Sequence, residues 1–510
     1  MLEMQDIRKE FGAVIALDSV NFSVKKGEIH GLLGGNGAGK TTLMNILYGL
    51  YKSNAGKISI DGAPLTINSP KDAIAGGIGM VHQQFLQIDR FTVTENIVLG
   101  TKLKNWPSLD LEVEKQKILE LSKHFGLPVN PDAYINELPM GIRQRVEILK
   151  ALYRGVKVLV LDEPTTNLTP QEVDGLFVSL RLMVNDGLSV VFITHKLPEV
   201  LAVCDRISVL RHGKNVLTLD RTEASEEAFV KAMVGDDLNI EQSIIFSAEN
   251  LHKRLGQVGG EDALSVKAMT ISTGEIKSVS ACSFEIKTGE ILGVAGVSGN
   301  GQLEMLEGIL GLRQIAAGEV WIRDVEVTEL APQETLNQGV AYIPEDRWQD
   351  GYLPKATVAQ NLILGLHRRE PYSDGHFLRG KQIFEQSEAL IKDFNIKTNG
   401  PDDTAGNLSG GNIQRVMLAR AFSHPVDLLL AHNPTRGLDI PSMESIYEKV
   451  LERKEKGMAT LLVSENLDEL FLLSNRIIVI CGGEIMGELP RDKFDKYAIG
   501  LMMSGVRQDE

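Results

Sequence analysis

The chain has 510 residues, too many for one ordinary hydrophobic core, so at least two domains of roughly 200 to 250 residues each are expected. Its composition, 43% apolar and 24% charged, is that of a folded globular protein and excludes disordered and fibrous classes. The net charge of -15 argues against a sequence-independent nucleic-acid binder, because such proteins draw their affinity from Lys and Arg set against phosphates.

The amino terminus, Met1 to Asp6, has no basic region leading into an apolar one, so no secretory signal is expected. The longest apolar runs, such as Val158 to Leu161 and Ile477 to Cys481, have the length of buried strands, and no membrane span is expected. Cys204, Cys282 and Cys481 lie far apart in no metal-ligand spacing, which points to free thiols.

The first chemically informative element is Gly34-Gly35-Asn36-Gly37-Ala38-Gly39-Lys40-Thr41, preceded by an apolar strand and followed by Leu43, Ile46 and Leu47 at helical spacing. This is the P-loop pattern in its strand-to-helix context. Glycines let backbone N–H groups close around phosphate oxygens, Lys40 brings charge to the outer phosphates, and the Thr41 hydroxyl can ligate Mg²⁺. Further on, Ile118, Leu121 and Phe125 recur at helical spacing and mark a helical insert. The run Val158 to Leu161 then ends in Asp162 and Glu163, one acid suited to a metal and the other to an attacking water. A third strand, Val190 to Ile193, leads into His195, which can reach a γ-phosphate; a lone histidine there is more often structural than catalytic.

The segment Gly27-Glu28-Ile29-His30-Gly31-Leu32-Leu33-Gly34 returns 262 residues later as Gly289-Glu290-Ile291-Leu292-Gly293-Val294-Ala295-Gly296. The same offset carries Val81-His82-Gln83 onto Ile343-Pro344-Glu345, and later landmarks are 270 apart. Two copies of one domain are therefore expected, at 1–236 and 263–510, joined by a polar, acidic linker at 237–262. Apolar runs alternating with helical patterns make each copy an α/β domain with a mostly parallel sheet, and Ile383, Leu390 and Phe394 repeat the helical insert.

In their order these motifs resemble the ATP-binding cassette family, over nearly the whole chain and twice. The resemblance implies two tandem P-loop cassettes, each with a mostly parallel core, an antiparallel edge region and a helical subdomain. It implies ATP and Mg²⁺ as ligands. Carried over residue by residue, Phe11 resembles the aromatic that stacks on adenine, and Gly34, Asn36, Gly37, Ala38, Gly39, Lys40, Thr41 and Thr42 the phosphate cradle. Gln83 resembles the glutamine that senses metal and water, and His195 the switch histidine. Glu163, His195 and Gln83 are thereby the catalytic candidates, and Thr41, Gln83 and Asp162 the metal candidates. Leu408-Ser409-Gly410-Gly411-Asn412 resembles the signature, whose Ser409, Gly410 and Gly411 would contact ATP held by the opposite domain.

The second copy departs from this pattern. Gly296-Val297-Ser298-Gly299-Asn300-Gly301-Gln302-Leu303 has Gln302 for the lysine and Leu303 for the hydroxyl; Ala431-His432-Asn433-Pro434 lacks both acids; Glu345 and Glu465 replace glutamine and histidine. The loss of charge and metal ligands together predicts no organised catalysis there. In the first copy it is the signature that is altered, to Leu138-Pro139-Met140-Gly141-Ile142, and the following loop reads Asn167-Leu168-Thr169 against Gly437-Leu438-Asp439. Head-to-tail pairing, as in the family, puts every intact element in one site and every altered element in the other.

Tyr342-Ile343-Pro344-Glu345-Asp346-Arg347 and Pro434-Thr435-Arg436-Gly437-Leu438-Asp439 resemble the tandem ATPases of simple-sugar and nucleoside importers, the nucleoside branch most. That implies a peripheral protein at the cytoplasmic face of the cell membrane, with two integral-membrane permease subunits, an extracytoplasmic substrate-binding protein and no nucleic acid as partners. Gln84-Phe85-Leu86 and Arg347-Trp348 are the candidate docking segments, with subdomain core as the alternative for Phe85 and Trp348. Ribose, galactose or riboflavin are alternative cargoes. A reading from another class is a soluble tandem cassette acting on ribosomes or DNA, whose relatives lead one to expect two competent sites with a long basic linker, zinc cysteines or a coiled coil.

Overall fold

A computed structural model describes the chain except for residues 13, 36, 84, 102–110, 167, 224, 236–242, 246–250, 252–253, 257, 274–275 and 509–510. It divides into two compact units, Met1–Asp237 and Leu238–Glu510. The first contains β1 (Leu2–Phe11), β2 (Val14–Val24), β3 (Ile29–Leu33), β4 (Ala55–Ile60), β5 (Ala63–Pro64), β6 (Ile78–Val81), β7 (Val158–Asp162), β8 (Ser189–Thr194), β9 (Arg206–Arg211) and β10 (Lys214–Asp220).

Six of these form a sheet in the order β10-β9-β3-β8-β7-β6, parallel except for the β9–β10 pair. Strands β3, β7 and β8 are buried at every position. Burial on both faces is why Val158 to Leu161 of β7 and Val190 to Ile193 of β8 read as continuous apolar runs, the pattern of a parallel sheet covered by helices. The remaining four strands form an antiparallel sheet, β2-β1-β4-β5. In β1 the buried residues are Leu2, Met4 and Ile7. Alternation slips by one there because Asp6 sits at φ 50 and the register shifts between Met4 and Ile7, as at a β-bulge.

The helical insert is present as Val93–Val98, Leu111–His124 and Met140–Tyr153, which pack on one another. Ile118 and Phe125 supply buried contacts. Thr92 and Glu95 close a capping box at its start, satisfying two otherwise orphaned N–H donors.

The second unit repeats the plan with β11 (Asp262–Thr273), β12 (Ile276–Lys287), β13 (Ile291–Ala295), β14 (Ala317–Ile322), β15 (Val325–Glu326), β16 (Val340–Ile343), β17 (Leu428–His432), β18 (Ala459–Val463), β19 (Arg476–Cys481) and β20 (Glu484–Pro490). Its sheets run β12-β11-β14-β15 and β16-β17-β18-β13-β19-β20, the same order. The duplication extends to backbone conformations that non-glycine residues rarely adopt. Asp6 and Ala268, Ser19 and Ala281, and Glu163 and Asn433 are matched pairs at positive φ. Its helical insert comprises Val358–Leu362, Gly380–Asp393 and Gly410–Ala421.

Of the stretch expected as a linker, the described part packs on the second unit. Ile244, Leu251 and Leu255 are buried in its core. Arg254 pairs with Glu448 at 2.6 Å and Glu455 at 2.7 Å, on and just beyond the helix Ile440–Lys454. Among the described residues, no helix is long and apolar enough to cross a membrane.

Candidate active site

The chemistry-bearing residues of the first unit stand at the carboxyl ends of neighbouring strands. The P-loop follows β3, Asp162 closes β7, His195 lies just past β8, and Gln83 lies two residues past β6. In open α/β sheets this edge is where ligands bind. Gly39 caps the helix Lys40–Leu47 at φ 104, and a Cβ there would fall 2.9 Å from the Ala16 carbonyl oxygen, so the turn requires glycine. Lys40 is buried, its Nζ donating to the carbonyls of Gly34 at 2.7 Å and Gly35 at 2.9 Å. Burial pulls its pKa down against the attraction of Glu163 and Asp162. Thr41 is exposed and Thr42 half-buried in the first turn of that helix, while Asn36 lies outside the described residues.

The second carboxylate is the hub. Gln83 Nε2 donates to Glu163 Oε2 at 3.0 Å, and His195 Nδ1 bonds Glu163 Oε1 at 3.0 Å. The three catalytic candidates, scattered over more than a hundred residues of chain, thus share one carboxylate. Burial works to raise the Glu163 pKa, but the His195 hydrogen bond and ring charge, with Lys40 and Lys196, outweigh it and hold the group below the usual glutamate value. Asp162 behaves oppositely. Burial and the neighbouring Glu163 push it up to about 6, against the pull of Lys40 and a hydrogen bond from Thr41.

Two adjacent buried carboxylates leave this corner short of positive charge. Asp162 with the Thr41 hydroxyl is an all-oxygen donor pair of the kind Mg²⁺ accepts when phosphate oxygens and waters complete its shell. No cluster of three or more metal-binding side chains is built among the described residues. Asp162 and Thr41 together fit a hard cation whose other ligands a nucleotide and water would supply. Phe11, at the end of β1, is 44% exposed, edge-on to Tyr51 and beneath Lys9 Nζ at 4.9 Å, leaving ring surface to the solvent.

In the second unit the same positions hold a different network. Gln302 is buried like Lys40, but its Nε2 donates to the Val297 carbonyl at 3.0 Å while its Oε1 accepts the Asn300 N–H at 3.1 Å. An uncharged amide closes the loop on itself. His432 and Asn433 stand where the two acids stand in the first unit, and burial pushes His432 down to about 4, so it is neutral at pH 7. Asn433 Nδ2 donates to Glu345 Oε1 at 3.1 Å, and Arg436 pairs with Glu345 and, at 3.8 Å, with Glu465. The acids have moved to the flanking loops and are answered by a guanidinium.

Ser409 caps the helix Gly410–Ala421 and is exposed, its Oγ accepting from Asn412 Nδ2 at 2.9 Å. The N–H groups of Gly410 and Gly411 belong to the first turn of that helix, an electropositive end suited to an anion. The first unit has Pro139 at the equivalent cap, which carries no hydroxyl; neither cap side chain bonds an N–H of its own helix. Of the candidate docking segments, Trp348 is 59% exposed and Leu86 66% exposed, Phe85 is half-buried, and Gln84 lies outside the described residues, as does Asn167. The sequence reading places Arg347 in a candidate docking segment and Arg436 within a family-like motif, and gives neither a role in the site. The signal for Arg436 is in the sequence: a cation enters where Thr166 stands in the first copy, together with two new acids, Glu345 and Glu465.

A phosphate cradle on a helix start, paired carboxylates at the adjacent strand end and a glutamine and histidine gathered on one of them define a P-loop nucleotide-binding ATPase. The sequence pattern of the ABC transporter family matches residues 17–166 and again 279–436. The chain belongs to that family, as two cassettes in one polypeptide. It is 40% identical to the nucleoside import ATP-binding protein NupA of Lactococcus lactis, covering 100% of this chain and 99% of that protein. It is 41% identical to the glucose import ATP-binding protein TsgD13 of Haloferax volcanii, covering 99% and 96%. With the guanosine import ATP-binding protein NupO of Bacillus subtilis it shares 39% identity over 100% of this chain and 98% of that one.

Proposed function

We propose that the chain is the ATP-hydrolysing subunit of a nucleoside importer, acting at the cytoplasmic face of the membrane with two integral-membrane permease subunits and an extracytoplasmic substrate-binding protein. Two of the three relatives named above import nucleosides by name, which favours that cargo; the glucose relative makes a monosaccharide the second reading. The observation that carries the catalytic part is the Glu163 carboxylate held between Gln83 and His195 beside Lys40 and Asp162.

In this proposal adenine stacks on Phe11 and the phosphates enter the cradle of Gly34 to Thr42. Lys40 Nζ exchanges the carbonyls of Gly34 and Gly35 for phosphate oxygens, and so gives up two bonds to gain a charged partner. Thr41, Asp162 and Gln83 would hold Mg²⁺, which supplies charge neutralisation on the outer phosphates. Glu163, with Lys40 and Lys196 favouring its ionised form, accepts the hydrogen bond of the attacking water and its proton as the water oxygen bonds to the γ-phosphorus and the bond from that phosphorus to ADP breaks. Gln83 and His195 leave the carboxylate as nucleotide arrives, freeing it for that water and placing the histidine against the γ-phosphate.

The partition of intact motifs supports a site completed in trans. Ser409 and the N–H groups of Gly410 and Gly411 would meet the γ-phosphate of ATP bound by the first unit, and closure around it would drive the permeases. Uptake of labelled nucleoside by cells carrying Glu163→Gln tests the whole reading. Removing the base should cost about 10²-fold or more in ATP turnover and abolish nucleoside uptake. Loss of monosaccharide uptake with nucleoside uptake intact would reassign the cargo.

A further inference from the structure

The altered pocket of the second unit is tied to the loops that the proposed site borrows from it. Arg347 reaches both. Its Nη1 donates to the Gly410 carbonyl at 3.1 Å and its Nη2 donates to the Arg436 carbonyl. The fit is close: a Cβ on Gly410 would lie 3.3 Å from Nη1, and one on Gly437 3.2 Å from Nη2. Arg436 is itself anchored, its guanidinium lying between Glu345 and Glu465, the positions occupied by Gln83 and His195 in the first unit. The turn that carries Arg347 is fixed as well. Asp346 accepts the N–H groups of Trp348 and Gln349 at 2.9 and 3.0 Å, and Gly351 abuts Met417 of the helix Gly410–Ala421.

The first unit has none of these charges. Phe85, Thr166, Gln83 and His195 stand at the matching places, and there Gln83 and His195 gather on Glu163 instead. A pocket that must open for nucleotide cannot also clamp its own loops. One that has lost its acids is free to do so.

We infer that Arg347 and Arg436 are positioning residues for the reaction: together they use the altered pocket as an anchor that holds the Ser409 turn and the Gly437-Leu438-Asp439 loop in the shape needed to meet ATP bound by the first unit. The inference rests on the trans site proposed above. A guanidinium can satisfy two carbonyls at once because its donors are fixed in a plane, whereas an ammonium offers a single point of attachment. Preorganised loops lose less conformational freedom on closure, so the gain falls on turnover and not on initial ATP binding.

The test compares Arg347→Met, Arg347→Lys and Ser409→Trp in the purified full chain, reading kcat, the ATP dissociation constant and the melting temperature. Both Arg347 variants should lose up to about 10²-fold in kcat, the cost of misplacing a contact at the reacting phosphate by about 1 Å. Their ATP dissociation constants and melting temperatures should stay at the wild-type values. Full turnover in Arg347→Lys would overturn the two-carbonyl clamp, as would wild-type kcat in both variants while Ser409→Trp is inactive. A kcat loss that merely follows a fall in melting temperature would also overturn it. An active Ser409→Trp would instead remove the trans site on which the inference rests.

Discussion

Replacing Asp162 by Asn should stabilise the nucleotide-free protein while destroying its chemistry. The carboxyl rises from an ordinary 3.8 to about 6, first through burial and then through Glu163. At about 1.4 kcal/mol per tenfold change in proton affinity, the ionised group costs the folded first unit about 3 kcal/mol at neutral pH. The sign follows from proton binding. Between pH 3.8 and about 6 the folded state holds a proton that the unfolded chain has released, so wild-type stability falls as pH rises through that window. An isosteric amide never ionises and escapes the loss.

For a unit the size of Met1–Asp237, about 2 to 4 °C per kcal/mol converts this into a gain of about 6 to 12 °C in the unit's calorimetric transition at pH 7. The gain should shrink as pH is lowered and vanish near pH 4. Adding ATP with Mg²⁺ should reverse the order, because the wild type gains binding energy that the variant cannot. A variant that melts at or below the wild-type temperature at pH 7 without ligand, or whose gain is as large at pH 4 as at pH 7, would refute the charge imbalance argued for this corner.

Removing the His195 ring leaves burial to act on Glu163 unopposed by its first hydrogen-bond partner. The acid limb of the pH–kcat/KM profile, which reports the nucleotide-free protein, should therefore move to higher pH in His195→Ala; an unmoved limb with only a lower plateau would show that the histidine does not tune this carboxylate. Gln302→Lys returns a cation to the second loop but leaves His432 and Asn433 where the acids stand in the first unit. It should add no turnover, and the double variant with Glu163→Gln should remain as inactive as Glu163→Gln alone; ATP consumption by the double variant would contradict the assignment of a single catalytic carboxylate.

What could be read along the chain was what lies contiguous in it. The P-loop is eight consecutive residues, and β7 and β8 are buried on both faces, so Val158 to Leu161 and Val190 to Ile193 are unbroken apolar runs. The duplicated plan was visible for the same reason. The bulges at Asp6 and Ser19 were not, because positive φ at a non-glycine residue leaves no compositional mark. Nor was the docking of Ile244, Leu251 and Leu255, sparse apolar residues in a largely polar stretch that acquire meaning only when the second core is present. The hold of Arg347 on two loops left no mark in the sequence because its acceptors are main-chain carbonyls, which every residue possesses. The Glu345–Arg436–Glu465 cluster spans 120 residues from first to last, and only the meeting of three loops at one sheet edge makes it a unit.

The proposal that Ser409 completes the site in trans is most directly tested by steady-state ATP hydrolysis of the purified full chain carrying Ser409→Trp. Ser409 is exposed and, among the described residues, its side chain accepts from Asn412, so the indole should leave the second unit folded while blocking the proposed approach of its signature to nucleotide. Turnover should then fall to the level of Glu163→Gln with ATP still bound by the first unit. Hydrolysis at the wild-type rate would mean that Lys40, Asp162 and Glu163 work without the second cassette.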